Sequence, residues 1–193
     1  MPLAKGGYPI TSTDFLFFGA SVAADTARAP RFNMPRTDVS GDTAALTTQV
    51  LTTVALPLCA GDVVSKLAFK SGATAAGTPT NYWFALYDTA GNLLAQTADQ
   101  LTAAWAADTV KDLALATPYT APALGVYYAG IMVKATTPPS LIGVTLARAA
   151  ASAGFLASDK VLSQTSGSAL TTTAPATIAT PTAIAAVPMV VAH

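Results

Sequence analysis

Asn81-Tyr-Trp-Phe-Ala-Leu-Tyr-Asp88 and Gly125-Val-Tyr-Tyr-Ala-Gly-Ile-Met-Val133 are the two runs that decide the fold. In the first, Tyr82, Phe84 and Leu86 share one face of an extended chain, and Trp83, Ala85 and Tyr87 share the other. Apolar residues on both faces mark a central strand, or a strand whose second face is covered by something outside its sandwich. Asp88-Thr-Ala-Gly-Asn92 then turns the chain, because Gly91 and Asn92 tolerate positive φ, and Leu93 to Thr97 returns as the second arm of a hairpin. In the other run Tyr127, Ala129, Ile131 and Val133 alternate with Tyr128, Gly130, Met132 and Lys134. Short alternating strands punctuated by Gly, Asn, Asp and Pro predict an all-β fold, an antiparallel β-sandwich.

Outward from these runs the same pattern continues. Thr47 to Leu56 is rich in β-branched residues and predicts a strand ended by Pro57. After a Gly61-Asp62 turn, Val63 to Lys70 predicts another, with Val63, Leu67 and Phe69 on one face and Lys66 on the other. Ser71 to Pro79 reads as a loop, and Asp99 to Ala107, which holds Trp105, as a loop or a single turn. Asp108 to Ala116 predicts a strand with Leu113 and Leu115 inward, followed by an edge or turn segment at Pro118-Tyr-Thr-Ala-Pro122. Pro138-Pro139 breaks the chain before a strand at Ser140 to Leu146. The expected organisation is an extended N-terminal arm over residues 1–43, a sandwich core over 44–146 and an Ala/Thr-rich segment over 147–193. The last is either a second arm or a source of closing strands such as Ala169 to Thr173 and Ala185 to Ala192.

The composition is unusual in charge. Only 10% of the 193 residues are charged, the formal net charge is zero, and every acid is aspartate, against about 25% charged residues in ordinary globular chains. Such a surface gives little electrostatic defence against association, so it suits either a tolerant Thr/Ala surface or one covered by other copies and other proteins. No cluster of Lys or Arg supplies the basic footprint of a nucleic-acid binder. No run of apolar residues is long enough to span a membrane, and the N-terminus has no secretory pattern.

The residues that carry chemistry are sparse. Cys59 is alone, so no internal disulfide forms, and it reads as a buried structural thiol. The single histidine is His193, on a chain end where nothing is expected to fix its tautomer. Asp108 and Asp112 are about 13 Å apart at strand spacing, too far for a glycosidase pair, and read as solvated surface charges. The expectation is therefore a protein with no catalytic residues, no metal site and no cofactor. Two aromatic residues on loop or edge segments, Trp105 and Tyr119, are the candidate ligand contacts, as rings on which a sugar face can stack; the alternative is that they belong to core or subunit interface. In the arm, Phe15-Leu16-Phe17-Phe18 is the most apolar point. Phe15, Phe17 and Phe18 either cover one end of their own sandwich or dock into a neighbouring subunit.

Leu56-Pro-Leu-Cys-Ala-Gly-Asp62, Pro79-Thr-Asn-Tyr-Trp-Phe-Ala-Leu-Tyr-Asp88, Asn92-Leu-Leu-Ala-Gln-Thr97 and Gly125-Val-Tyr-Tyr-Ala-Gly130 together resemble a domain of tailed bacteriophages of actinobacteria, in proteins described as minor tail, tail-fibre or head-fibre proteins. The resemblance spans about residues 45–145 and its motifs are structural. It implies a jelly-roll-like sandwich serving as a virion component, a capsid decoration or a minor tail protein, made in the host cytoplasm and assembled as a homo-oligomer, a trimer for preference. The partners it implies are other virion proteins; a carbohydrate-binding module that recognises a host surface glycan is the alternative. No active-site residue comes with it.

Overall fold

A computed structural model of the chain describes residues 30–193. These residues form strands, one turn of 3-10 helix at Arg36–Asp38 and one short α-helix: β1 Arg31–Phe32, β2 Gly41–Asp42, β3 Leu51–Leu58, β4 Val63–Lys70, β5 Asn81–Tyr87, β6 Leu93–Gln96, β7 Val110–Thr120, β8 Gly125–Lys134, β9 Ile142–Thr145, α1 Ala149–Ala153, β10 Ser163–Ser166, β11 Thr182–Ala183, β12 Ala186–Pro188 and β13 Val190–Ala192. One sheet runs β11-β10-β3-β8-β5-β6, a second β1-β13-β4-β7 and a third β12-β9-β2, and every pairing between these strands is antiparallel. The fold is an all-β sandwich. Its long strands nest as two pairs: β3 lies on β8 in the large sheet while β4 lies on β7 in the second.

The core follows from the alternation. Val54, Leu56 and Leu58 of β3, Tyr82, Phe84 and Leu86 of β5, and Tyr127, Ala129, Ile131 and Val133 of β8 point between the sheets and meet Val64, Leu67 and Phe69 of β4 and Val190 of β13. Phe69 packs edge-on against Phe84 at 4.8 Å between ring centres. The expectation for β4 needs one change. A register shift between Val64 and Lys66 re-aims the start of the strand, so Val64 is buried with Leu67 and Phe69 while Val63 is 48% exposed.

Pro57 does not end β3, which continues to Leu58 with Pro57 opposite Val126. The Ala55 N–H points away from β8 to the Leu162 carbonyl, and Pro57, two residues on, points the same way. The paired stretch of β10 reaches only as far as Val54 on β3, so the missing N–H breaks no ladder bond. Pro118 lies within β7, which is the edge of its sheet.

The chain outside 44–146 is woven into the sheets. β1 pairs with β13 and β2 with β9, so residues 31–42 contribute edge strands and not only an arm. Residues 147–193 supply β10 to β13. Ala186–Pro188 joins β9 and Val190–Ala192 joins β4, so the apolar C-terminal run divides between two sheets at Met189. Ala169 to Thr173 is not a strand.

That stretch belongs instead to a strap, residues 167–180, that crosses the outer face of the large sheet. Leu51, Trp83, Ala85, Tyr87, Tyr128 and Met132 form a second apolar cluster there, closed over by Leu170, Ala174 and Ile178. The outer face of β5 is thus covered by the chain's own Thr/Ala/Pro tract. Main-chain groups of the strap are tied down by the sheet: Trp83 Nε1 donates to the Thr171 carbonyl at 2.7 Å, Gln96 Nε2 to Thr172 at 2.9 Å and the Leu93 N–H to Ala176 at 2.9 Å. Gly130 permits the close packing beneath, since a Cβ there would stand 2.9 Å from Leu51 Cδ1 and 3.1 Å from a Tyr87 ring carbon.

Tyr87 donates its phenol to the Pro175 carbonyl at 3.2 Å, and burial pushes that phenol above its ordinary pKa of 10.0. A group whose folded pKa is raised adds stability that is intact below the unfolded value and is lost as pH rises through the folded one. Denaturant melts should therefore give constant stability from about pH 8 to pH 9.5, then a fall of about 1 kcal/mol per pH unit above pH 10. Tyr87→Phe should reduce that fall, leaving the part that comes from Tyr119 and Tyr128, whose phenols burial also raises.

Candidate functional site

Of the two aromatic candidates for ligand contact, Trp105 does not stand where a sugar could lie across its ring, and Tyr119 lies part-exposed on an edge strand. Trp105 is 1% exposed: its ring lies 5.5 Å from Tyr82 and 5.9 Å from Phe84, and its indole N–H donates to the Thr109 carbonyl at 3.1 Å. The flanking segment is a loop, but the bridge between Ala76 and Trp105 draws the residue into the core. Trp105 is a core residue, not a platform. Tyr119 is half-buried on the edge strand β7, 6.1 Å from the Tyr127 ring. Burial raises its phenol pKa, and the neighbouring Tyr127 phenol adds to the shift. The two candidates sit apart: Tyr82, beside Trp105, is opposite Val133, and Tyr127 is six residues along the same strand, about 20 Å at strand rise. Phe15, Phe17 and Phe18 lie outside the described residues.

His193 is better held than a chain-end residue was expected to be. Its Nε2 lies 2.9 Å from Asp112 Oδ1, while Lys66 Nζ approaches Asp112 Oδ2 at 3.3 Å. Its main-chain oxygen accepts from the N–H groups of Ser65 and Lys66 and from Ser65 Oγ at 2.8 Å. The serine hydroxyl thus faces a main-chain oxygen and not the imidazole, and the group joins the end of β13 to β4 and β7. Among the described residues no three His, Cys, Asp or Glu side chains come together as metal ligands.

What the structure does assemble is an apolar groove at one end of the sandwich, about 630 Å³ in volume, walled by Met34, Pro57, Val126, Leu146, Phe155 and Leu162 among others. Two polar side chains in its wall, Asn33 and Ser152, are engaged within the fold. Asn33 gives its amide to the Pro188 carbonyl at 2.8 Å and accepts the Val190 N–H at 2.9 Å, and Ser152 Oγ donates to the Ser163 carbonyl. The surface the groove offers is chiefly hydrocarbon.

The rim is formed by a loop that displays its apolar residues. Gly154 ends α1 at φ +100°, a conformation that favours glycine. Asp159 Oδ2 then accepts the N–H groups of Phe155 at 2.8 Å and Leu156 at 2.9 Å, and these bonds hold its carboxyl below the ordinary range. Lys160 donates to the Thr89 carbonyl at 3.1 Å and braces the other end. So fixed, Phe155 is 91% and Leu156 70% exposed. The signal in the sequence was a lone Phe-Leu pair in a run of Ala, Ser and Gly with an aspartate three residues beyond it, which is the spacing of a side-chain-capped turn.

Compared with protein-family models and with curated proteins, the chain matches none.

Proposed function

We propose that the chain is a non-enzymatic structural component of a bacteriophage virion, a jelly-roll-like capsid decoration or minor tail protein that works through contacts with its own copies and with other virion proteins. The reading starts from the resemblance of residues 45–145. The nested pairing of β3 and β4 with β8 and β7 supports the jelly-roll-like part of it. One observation carries the rest: a chain with 10% charged residues presents Phe155 and Leu156 to solvent beside an apolar groove. A surface that orders hydrocarbon outside its own core is built for contact with another protein.

The reading is tested on particles. Virions purified from a lysate of the host that carries this gene should yield peptides of the chain by mass spectrometry, and gold-labelled antibody should place them at the head or the tail. Purified particles free of the chain would overturn the assignment.

A further inference from the structure

The groove and the Phe155–Leu156 loop form one patch, because Phe155 is itself part of the groove wall. A surface that carries a projection and a recess side by side is self-complementary under a two-fold axis, since each copy's projection meets the other's recess. We propose that the groove receives Phe155 and Leu156 of a second copy of this chain, so that two copies pair about a two-fold axis at this end of the sandwich. The proposal names the contact through which the assembly reading acts, and rests on that reading.

Three features favour a second copy as the occupant. The first is area. A Phe and a Leu together carry about 300 Å² of side-chain surface, so two such pairs and the walls they cover bury about 1,200 Å², the lower bound for a specific interface. The second is charge. Asp159 and Lys160 are adjacent on the rim, and a two-fold axis lets the lysine of each copy face the aspartate of the other. Asp159 keeps its second oxygen for such a contact beyond the one that clamps the loop, and Lys160 keeps two ammonium hydrogens beyond the one given to Thr89. With zero formal net charge no long-range repulsion opposes the approach. The third is order. The Asp159 carboxylate already bonds the Phe155 and Leu156 N–H groups within the single chain, so part of the ordering cost of the loop is met before pairing.

Sedimentation of the full-length protein up to about 1 mM, where a contact of this size associates, is expected to show a monomer–dimer equilibrium. The double variant Phe155→Ser with Leu156→Ser should weaken it by about 100-fold or more. Both side chains are solvent-facing in the monomer, so thermal unfolding and far-UV circular dichroism should stay as in the wild type, which separates loss of contact from loss of fold. A monomer at every concentration overturns the proposal, as does a dimer whose constant ignores the double variant. Loss of association in Phe15→Ser, Phe17→Ser, Phe18→Ser but not in the double variant assigns pairing to the N-terminal segment and overturns it too. Failure here leaves the virion assignment standing if particles contain the chain. A dimer absent from particles would leave the contact standing and remove the assignment.

Discussion

Trp83→Ala is expected to destabilise the protein by about 3–5 kcal/mol, the range for deleting a fully buried large aromatic side chain. Trp83 has no exposed surface and lies beneath the strap, where its indole N–H holds the Thr171 carbonyl at 2.7 Å. The strap has little with which to hold itself. Of its side chains, only Leu170, Ala174 and Ile178 pack on the outer cluster, so its seat depends on the large residues beneath and on the main-chain bonds they anchor. Trp83→Phe separates the two contributions. It keeps most of the ring and removes the donor, for a loss of about 1–2 kcal/mol. Urea melts measure the totals, and amide exchange locates them. The Leu170 N–H, bonded to the Gln49 carbonyl, and the Ile178 N–H, bonded to Gly91, should lose protection in Trp83→Phe before the amides of β3 and β8 do. Unchanged protection at both would show that the strap is seated by something other than Trp83.

The strap also marks where the sequence was legible and where it was not. The β4 and β8 boundaries were read residue for residue, and those of β5 to within one, because period-two alternation between Gly, Pro and Asn breaks leaves little freedom of register. The apolar outer face of β5 was visible as well, with Trp83 and Tyr87 on it. What covers it was not. Apart from Leu170 and Ile178, residues 167–180 carry small and hydroxylated side chains with no strand alternation, and they are held largely through main-chain groups, which no side-chain pattern records. β10 escaped for a related reason: Ser163-Gln-Thr-Ser166 is polar, yet it is buried by pairing between β3 and β11. At the candidate site the failure had a different source. Trp105 was placed by its loop-like neighbours, whereas the strength of its packing against Tyr82 and Phe84 pulls that loop inward. Phe155 and Leu156 were passed over because a lone Phe-Leu pair in a small-residue run gives no strand or helix period, and its display depends on the Asp159 carboxylate.

Arg31→Met is expected to cost about 3–5 kcal/mol, because it removes both charge-assisted bonds that Arg31 gives to a buried carboxylate. The guanidinium of Arg31 meets Asp62 with two parallel bonds, Nε to Oδ2 at 2.7 Å and Nη2 to Oδ1 at 2.8 Å, and the Asp62 side chain is 3% exposed. The Asp62 hydrogen bond raises the Arg31 pKa, so the cation persists across the whole working range of pH. Asp62 does more than balance charge. Its Oδ2 accepts the Cys59 N–H at 2.7 Å and its main-chain carbonyl accepts the Ala121 N–H at 2.8 Å, so the β3–β4 turn, the chain after β7 and the edge strand β1 are joined at one residue. Arg31→Lys should recover only part of the loss, since an ammonium cannot make the parallel pair. The double variant Arg31→Met, Asp62→Asn is the decisive comparison. With both members of the pair replaced it should be about 2 kcal/mol more stable than the sum of the single changes predicts, read from denaturant midpoints at constant slope. Additive losses, or a loss below about 1 kcal/mol for Arg31→Met alone, would mean that the pair acts as a surface salt bridge does. β1 would then be held by its pairing with β13, and the junction at Asp62 by the turn itself.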